Sequence, residues 1–267
     1  MPLRITNNVS SMNAQRHISR SQTGLSKSLE RLASGLRINK AGDDAAGLAI
    51  SEKLRSNIRA LNQASRNAND GVALIQTAEG AMEEINNMLV RMKELSEQAA
   101  TGTVGADERG YLSSEYTALR NEITRIADAT KFNDTSLLDG SLDVSVQIGI
   151  AGGSTDTLAI QVSDVDATAL NLTTDISTVT NAQAALTSVT DAIDTISTRR
   201  SDLGALQNRL ESVVKNIDTV VENLTSAESR IRDVDIAAET ASLTKYSILV
   251  QAGVSILTQA NQSPTVA

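Results

Sequence analysis

The chain has 267 residues with one Phe, three Tyr and no Trp, so Leu, Ile, Val and Ala must do the packing that aromatic side chains do elsewhere. Its net charge of −8 and the absence of any basic run argue against nucleic acid as a partner. With no cysteine there is no disulfide framework, thiol nucleophile or thiolate metal site.

The first residues, MPLRITNNVSSMNAQRHISR, lack the apolar stretch of a secretory signal peptide. No window approaches the ~18 to 20 apolar residues of a membrane span. A helical seam begins at about Ile18 and runs through Leu25, Leu29, Leu32 and Leu36. Glycine at Gly35 predicts its end, because a helix terminus favours the left-handed conformation there. Gly35 to Gly47 reads as an extended connector, in which Asp43 and Asp44 are placed to cap the next helix.

That helix is predicted from near Asp44 to about Ala99. Its seam is Leu54, Ile58, Leu61, Ala68, Val72 and Ile75, then Ala78, Met82, Ile85, Leu89 and Met92. The step from Ile75 to Ala78 interrupts the three-four alternation once. A third helix is predicted over Ala106 to Ala129, ended by Lys131 to Asp134. Alternation at Val144, Val146, Ile148 and Ile150, then at Leu158, Ile160 and Val162, predicts a β-hairpin around the turn AGGSTDT. A Ser/Thr/Asp-rich loop over 163–180 follows.

From about Leu186 to Gln259 the spacing predicts one long helix. Leu203, Leu206, Leu210, Val213, Ile217, Val220, Leu224, Ala227, Ile231 and Val234 recur at the 3.5-residue period of a coiled-coil seam. A helix of about 80 residues would be about 120 Å long. Lys245 is the last charge, and Ile248, Leu249, Val250, Val254, Ile256 and Leu257 leave this end apolar on much of its circumference. Such a helix is stable only when its surface is covered. The expected fold is mainly α: a long coiled-coil-like bundle that pairs N- and C-terminal helices, with a small β-hairpin region.

Several long runs resemble bacterial flagellin. RLASGLRINKAGDDAAGLAIS (Arg31 to Ser51) is similar to the family's N-terminal signature. NDGVALIQTAEGAMEEINNMLVRMKELSEQAATGT (Asn69 to Thr103) is similar to the block after it. AESRIRDVDIAAE (Ala227 to Glu239) and QANQSP (Gln259 to Pro264) resemble its C-terminal signature. The resemblance implies an inner-core helical domain from residues 1–44 and 232–267, and an outer-core domain over 45–231 with a hairpin at about 143–163. Little variable sequence separates Val162 from the long helix, so a minimal form without outer surface domains is expected. Family members usually continue past the NQSP-like motif with a leucine-rich tail, whereas this sequence reads TVA to Ala267, which leaves the innermost C-terminal packing undefined.

The function implied is that of a structural subunit polymerising into the flagellar filament used for motility. The alternative is a hook–filament junction protein of the same system. The implied partners are further copies of the chain, the flagellar export apparatus, a cytoplasmic flagellin chaperone, and the filament cap and hook-associated proteins. The implied location is outside the cell, reached without a cleaved signal peptide. The subunit-packing seam is expected at Leu54, Ile58, Leu61, Val72, Ile75, Leu203, Leu210, Ile217, Leu224, Ile231, Ile248 and Leu257. Resemblance also marks Arg91, Leu95 and Glu115 as candidate contacts of the vertebrate Toll-like flagellin receptor. No cofactor, metal or catalytic site is expected. The single histidine, His17, would have to carry any Ser-His-Asp chemistry alone, no HExxH motif occurs, and a polar contact is its expected role.

Overall fold

The structure, a computed structural model, describes residues 8–262. Among these, five α-helices and two small antiparallel hairpins follow in the order α1 (Val9–Ser34), α2 (Ala45–Ala100), α3 (Ala106–Ala129), β1 (Lys131–Phe132), β2 (Thr135–Ser136), β3 (Leu142–Gln147), β4 (Thr157–Val162), α4 (Val179–Arg232) and α5 (Ile236–Gln262). The mainly α fold expected from the periodicity is therefore the one observed. Residues 163–178 link β4 to α4 directly, with no additional domain between them.

Side-chain chemistry sets the helix limits. α1 starts well before Ile18: the Asn8 side chain caps it by accepting a hydrogen bond from the Ser11 N–H at 3.0 Å. It ends at Gly35, whose φ of 72° is the left-handed conformation predicted for that position. The two aspartates of the connector divide the work. Asp44 caps α2 by accepting from the Gly47 N–H at 2.9 Å. Asp43 instead closes the connector on itself, accepting from the Asn39 and Lys40 N–H groups, and pairs with Lys27 of α1 at 2.6 Å.

Two expectations are corrected. The stretch from Leu186 to Gln259 is not one helix. α4 begins earlier, at Val179, and the helix is interrupted at Asp233–Asp235. There the chain after α1 inserts its own backbone: Arg37 N–H donates to Arg232 O at 2.6 Å, and Val234 N–H donates to Gly35 O at 3.0 Å. Asp235 then caps α5, accepting from the Ala237 and Ala238 N–H groups at 2.9 and 3.1 Å. Secondly, Ile150 lies outside the β3–β4 ladder, which pairs Leu142 with Val162 through to Gln147 with Thr157. Ile150 sits in the connecting loop and is 50 % exposed. The β1–β2 hairpin was not predicted. Its turn residues Asn133 and Asp134 have φ of 48° and 63°, values these two residue types tolerate better than most.

By contacts the chain forms two units, to both of which α2 and α4 contribute. In the unit of Arg59–Val221, one face of α2 (Ile75, Ala78, Met82, Ile85, Leu89, Met92) is sealed against α3, α4 and β3–β4. Gly71 permits this closeness. A Cβ there would lie 3.3 Å from both Leu210 Cδ1 and Val146 Cγ2. The buried Arg109 closes the α2–α3 turn, donating to Ala99 O at 2.9 Å and Val104 O at 2.8 Å. Asn67 fastens the hairpin to α2 by donating to Gln147 O at 3.1 Å. In the other unit α1 and α5 lie antiparallel, held at one end by Asn8 Nδ2 donating to Ala260 O at 2.8 Å and at the other by the Arg31–Glu239 ion pair at 3.4 Å.

Candidate assembly surface

The α1–α5 pair is close where small residues allow it. Gly24 faces the ring of Tyr246, and Gly253 faces Ile18; a Cβ at Gly253 would lie 2.7 Å from Ile18 Cγ1. Glu239, Tyr246, Val250, Gly253 and Leu257 are half-buried along the contact line. Yet none of the residues of α5 is fully buried, and in α1 only Ser28 is. Ile236, Ile248, Leu249, Val254 and Ile256 are 43 to 60 % exposed, as are Val9, Met12 and Leu29 of α1. One helix partner covers one stripe, whereas the apolar residues of α5 surround most of its circumference.

The predicted seam residues divide accordingly. Leu61, Ile75, Leu203, Leu210 and Ile217 are buried, and Val72 is half-buried, inside the unit of Arg59–Val221. Leu54, Ile58, Leu224, Ile231 and Leu257 are half-buried in the terminal unit. Ile248 is 58 % exposed, off the line that meets α1. Sequence reasoning did not single out Val9, Met12 or Ile236. Their signal was the same apolar character on a helix face left without a partner in the chain.

The three candidate receptor residues are not all on one surface. Arg91 of α2 and Glu115 of α3 are exposed and joined by an ion pair at 2.9 Å, and Arg91 also pairs with Glu94 at 2.9 Å. These carboxylates, Glu94 first, raise the guanidinium's already high pKa. Leu95 is corrected by its burial: at 1 % exposure it belongs to the core beneath this pair. Four residues on from Arg91, it has rotated round the helix far enough to face inward. His17 is exposed on α1.

Among the described residues no group of three or more His, Asp or Glu side chains is arranged to hold a metal ion. Nor is any helix long and apolar enough to cross a membrane. The fold and these surfaces define a helical structural protein, with one closed core and one helix pair covered only in part.

Comparison with known proteins agrees. Residues 5–143 match the bacterial flagellin N-terminal helical region, and residues 186–266 match the bacterial flagellin C-terminal helical region. The flagellin of Halalkalibacterium halodurans is 46 % identical over 263 residues, covering 97 % of this chain and 96 % of the relative. The flagellar filament 33 kDa core protein of Treponema phagedenis is 42 % identical over 279 residues, covering 97 % and 96 %. The crystal structure of Bacillus cereus flagellin superposes with a TM-score of 0.52 at 32 % identity, covering 57 % of this chain and 88 % of that one. A putative flagellar hook-associated protein from Vibrio parahaemolyticus has a TM-score of 0.61 over 72 % of this chain and all of its own, but at 13 % identity it is alike in fold alone. The chain belongs to the bacterial flagellin family. It is a structural subunit of the extracellular flagellar filament.

Proposed function

We propose that the chain polymerises with copies of itself through the exposed apolar face of the α1–α5 pair. In this reading residues 1–44 and 232–267 form the inner part of the filament and 45–231 the outer part. The ends, 1–7 and 263–267, which include the close of the QANQSP run, lie outside the described residues. The carrying observation is that α5, a 27-residue helix rich in Ile, Leu and Val, has no buried residue. Fully covering one such side chain is worth about 1.5 to 3 kcal/mol. Several on each copy supply an ample driving force for association.

The seam residues Leu54, Ile58, Leu61, Val72, Ile75, Leu203, Leu210, Ile217, Ile231 and Leu257 then hold the subunit in shape, the half-buried Leu224 keeps part of its side chain for a neighbour, and Ile248 meets one. No step of this role calls for catalysis. Export by the flagellar apparatus, a cytoplasmic chaperone, and contact with cap and hook-associated proteins belong to the same reading.

The test is polymerisation of purified protein, followed by sedimentation and negative-stain microscopy. Long filaments are expected from the parent, and none from Ile256→Lys at the same concentration. Filaments of normal yield from Ile256→Lys would refute the surface. A parent that cannot polymerise alone would favour the hook–filament junction role.

A second surface is proposed for a vertebrate Toll-like flagellin receptor. What supports it is the exposed Arg91–Glu115 pair, whose complementary charges offer both a donor fork and an acceptor to a partner. Leu95 would support that surface from below.

A further inference from the structure

We propose that the cleft between α3 and the 167–173 loop is an oxyanion site, built around Arg120 to take a carboxylate. The cleft, of about 300 Å³, is lined by Arg120, Asn121, Thr124, Ala167, Thr168, Leu172 and Thr173. It presents one guanidinium, one amide and the hydroxyls of Thr168 and Thr173 beside the small apolar side chains of Ala167 and Leu172, while the Thr124 hydroxyl is engaged, donating to Arg120 O at 3.5 Å.

Arg120 is the unusual member. It is half-buried, and among the described residues its guanidinium has neither an ion pair nor a hydrogen bond. The other arginines of the same unit that are at least half-buried are all engaged. Arg109 donates to Ala99 O and Val104 O, Arg199 to Ser163 O and Asp164 O, and Arg200 pairs with Glu79 and Glu83. A guanidinium has five donors in a planar fork that matches a carboxylate. Leaving it partly desolvated and unpaired is a cost that an incoming anion removes.

The surroundings are already formed. Leu170 N–H donates to Asp166 O, and Leu172 N–H donates to Ala167 O at 2.8 Å, while Asn171 takes the left-handed conformation at φ 56°. Asp166 accepts from the Ala169 N–H at 2.6 Å, so the loop is wound tight by its own bonds. Ala167 N–H in turn donates to Thr124 Oγ1 at 3.4 Å, tying loop to helix.

Two groups feel the charge of Arg120: the buried Tyr116 phenol, whose hydroxyl has no partner, and Asp175. Asp175 is the carboxylate that could occupy the guanidinium from within the chain. It is bound elsewhere, accepting from Asn181 Nδ2 at 2.7 Å and from the Ser177 hydroxyl at 3.0 Å.

The carboxylate could be a free small molecule or an Asp or Glu side chain of a second copy; the chemistry at Arg120 is the same. The first measurement uses the full chain as monomer, with the Arg120 Nε–H and Thr168 amide signals followed by NMR. Sodium acetate is titrated into the millimolar range, with chloride adjusted to hold ionic strength constant. Saturable shifts at both signals are expected in the parent. In Arg120→Gln, a variant that keeps a polar, hydrogen-bonding side chain but is shorter and carries no charge, the Thr168 shift should vanish. No saturable shift in the parent, or an unchanged Thr168 shift in Arg120→Gln, would overturn the site.

The second measurement assigns the source. A second-copy carboxylate predicts that Arg120→Gln raises the critical concentration for polymerisation several-fold and that parent filaments no longer take up acetate. A free anion predicts unchanged assembly and acetate uptake by filaments. Loss of assembly at the apolar α1–α5 face would leave the monomer titration intact, so the two readings fail separately.

Discussion

Gly24 of α1 lies directly against the aromatic ring of Tyr246 on α5. A Cβ at Gly24 would stand 2.6 Å from Tyr246 Cε1 and 2.7 Å from Cζ. The pairing of the terminal helices therefore depends on a missing side chain. Gly24→Val should push the ring out of its seat at a cost of about 1 to 3 kcal/mol. Gly80, also within a helix, has nothing within 4 Å of the same position. Gly80→Ala should stabilise by up to about 1 kcal/mol through helix propensity. Thermal melts of the two variants should move in opposite directions, and only Gly24→Val should impair polymerisation.

A lysine on the seam should be felt according to depth. Leu210 is fully buried against Gly71, and Leu210→Lys should unfold the unit that contains it, because a charge there costs several kcal/mol, on the order of a domain's stability. Leu224 is only half-buried. Leu224→Lys should keep the helical circular dichroism of the parent and lose filament yield. Thr155→Lys, in the exposed hairpin loop, should do neither. Parent-like assembly by Leu224→Lys would mean that its side chain faces solvent in the filament.

The two ends should differ between monomer and filament. With so many apolar side chains uncovered, segments 1–44 and 232–267 gain little to offset the entropy of ordering until neighbours cover them. Limited proteolysis should trim both ends from the monomer while sparing Arg59–Val221, and should leave filament ends intact. Equal protection in both states would count against the idea.

The connector should loosen in acid. The Lys27 ammonium, with the Lys40 N–H next in weight, holds the Asp43 carboxyl at about 2, below its ordinary 3.8. A carboxylate depressed on folding contributes stability that is fully present above pH 3.8 and lost as the pH falls through about 2. The melting difference between the parent and Asp43→Asn should therefore be constant above that window and shrink within it. A difference independent of pH would show that the Lys27 pair contributes nothing.

Arg91 and Leu95 should separate in a receptor assay. The double change Arg91→Ala with Glu115→Ala removes an exposed pair, and should lower signalling by monomer with little shift in melting temperature. Leu95→Ala empties a core position, and should cost about 2 to 5 kcal/mol of stability first. Intact filaments should signal less than depolymerised material. Undiminished signalling by the double variant would remove the site.

What could be read in the sequence follows the range of the forces involved. The start of α2 was legible because the signal is local, Asp44 as a cap. The core stripe of α2 was legible because every member shares one period. The interruption between α4 and α5 was not, since Ile231 and Val234 keep the seam's spacing while the cause lies about 200 residues away, in the backbone of Gly35 and Arg37. Asp235, an aspartate ahead of an apolar run, was the local sign of a second helix start. Leu95 was marked by resemblance alone, which does not say whether a side chain is covered, and here it lies in the core. The Arg120 cleft has no motif; it is visible only when the other arginines are seen to be satisfied.

The pairing of α1 with α5 has a consequence for the order in which the chain can mature. Arg59–Val221 brings together segments within itself, and loop closure there needs no residue beyond Val221. The α1–α5 pair joins Asn8 to Ala260, the longest closure in the described chain. Contacts so distant in sequence form late. A chain emerging from a narrow conduit with its N-terminus leading would complete its middle first, and would hold α1 unmatched until almost the whole polypeptide had passed. Of the described helices α5 would be the last delivered, so on the assembly surface proposed above a subunit lacking it could not offer the α1–α5 face to a neighbour.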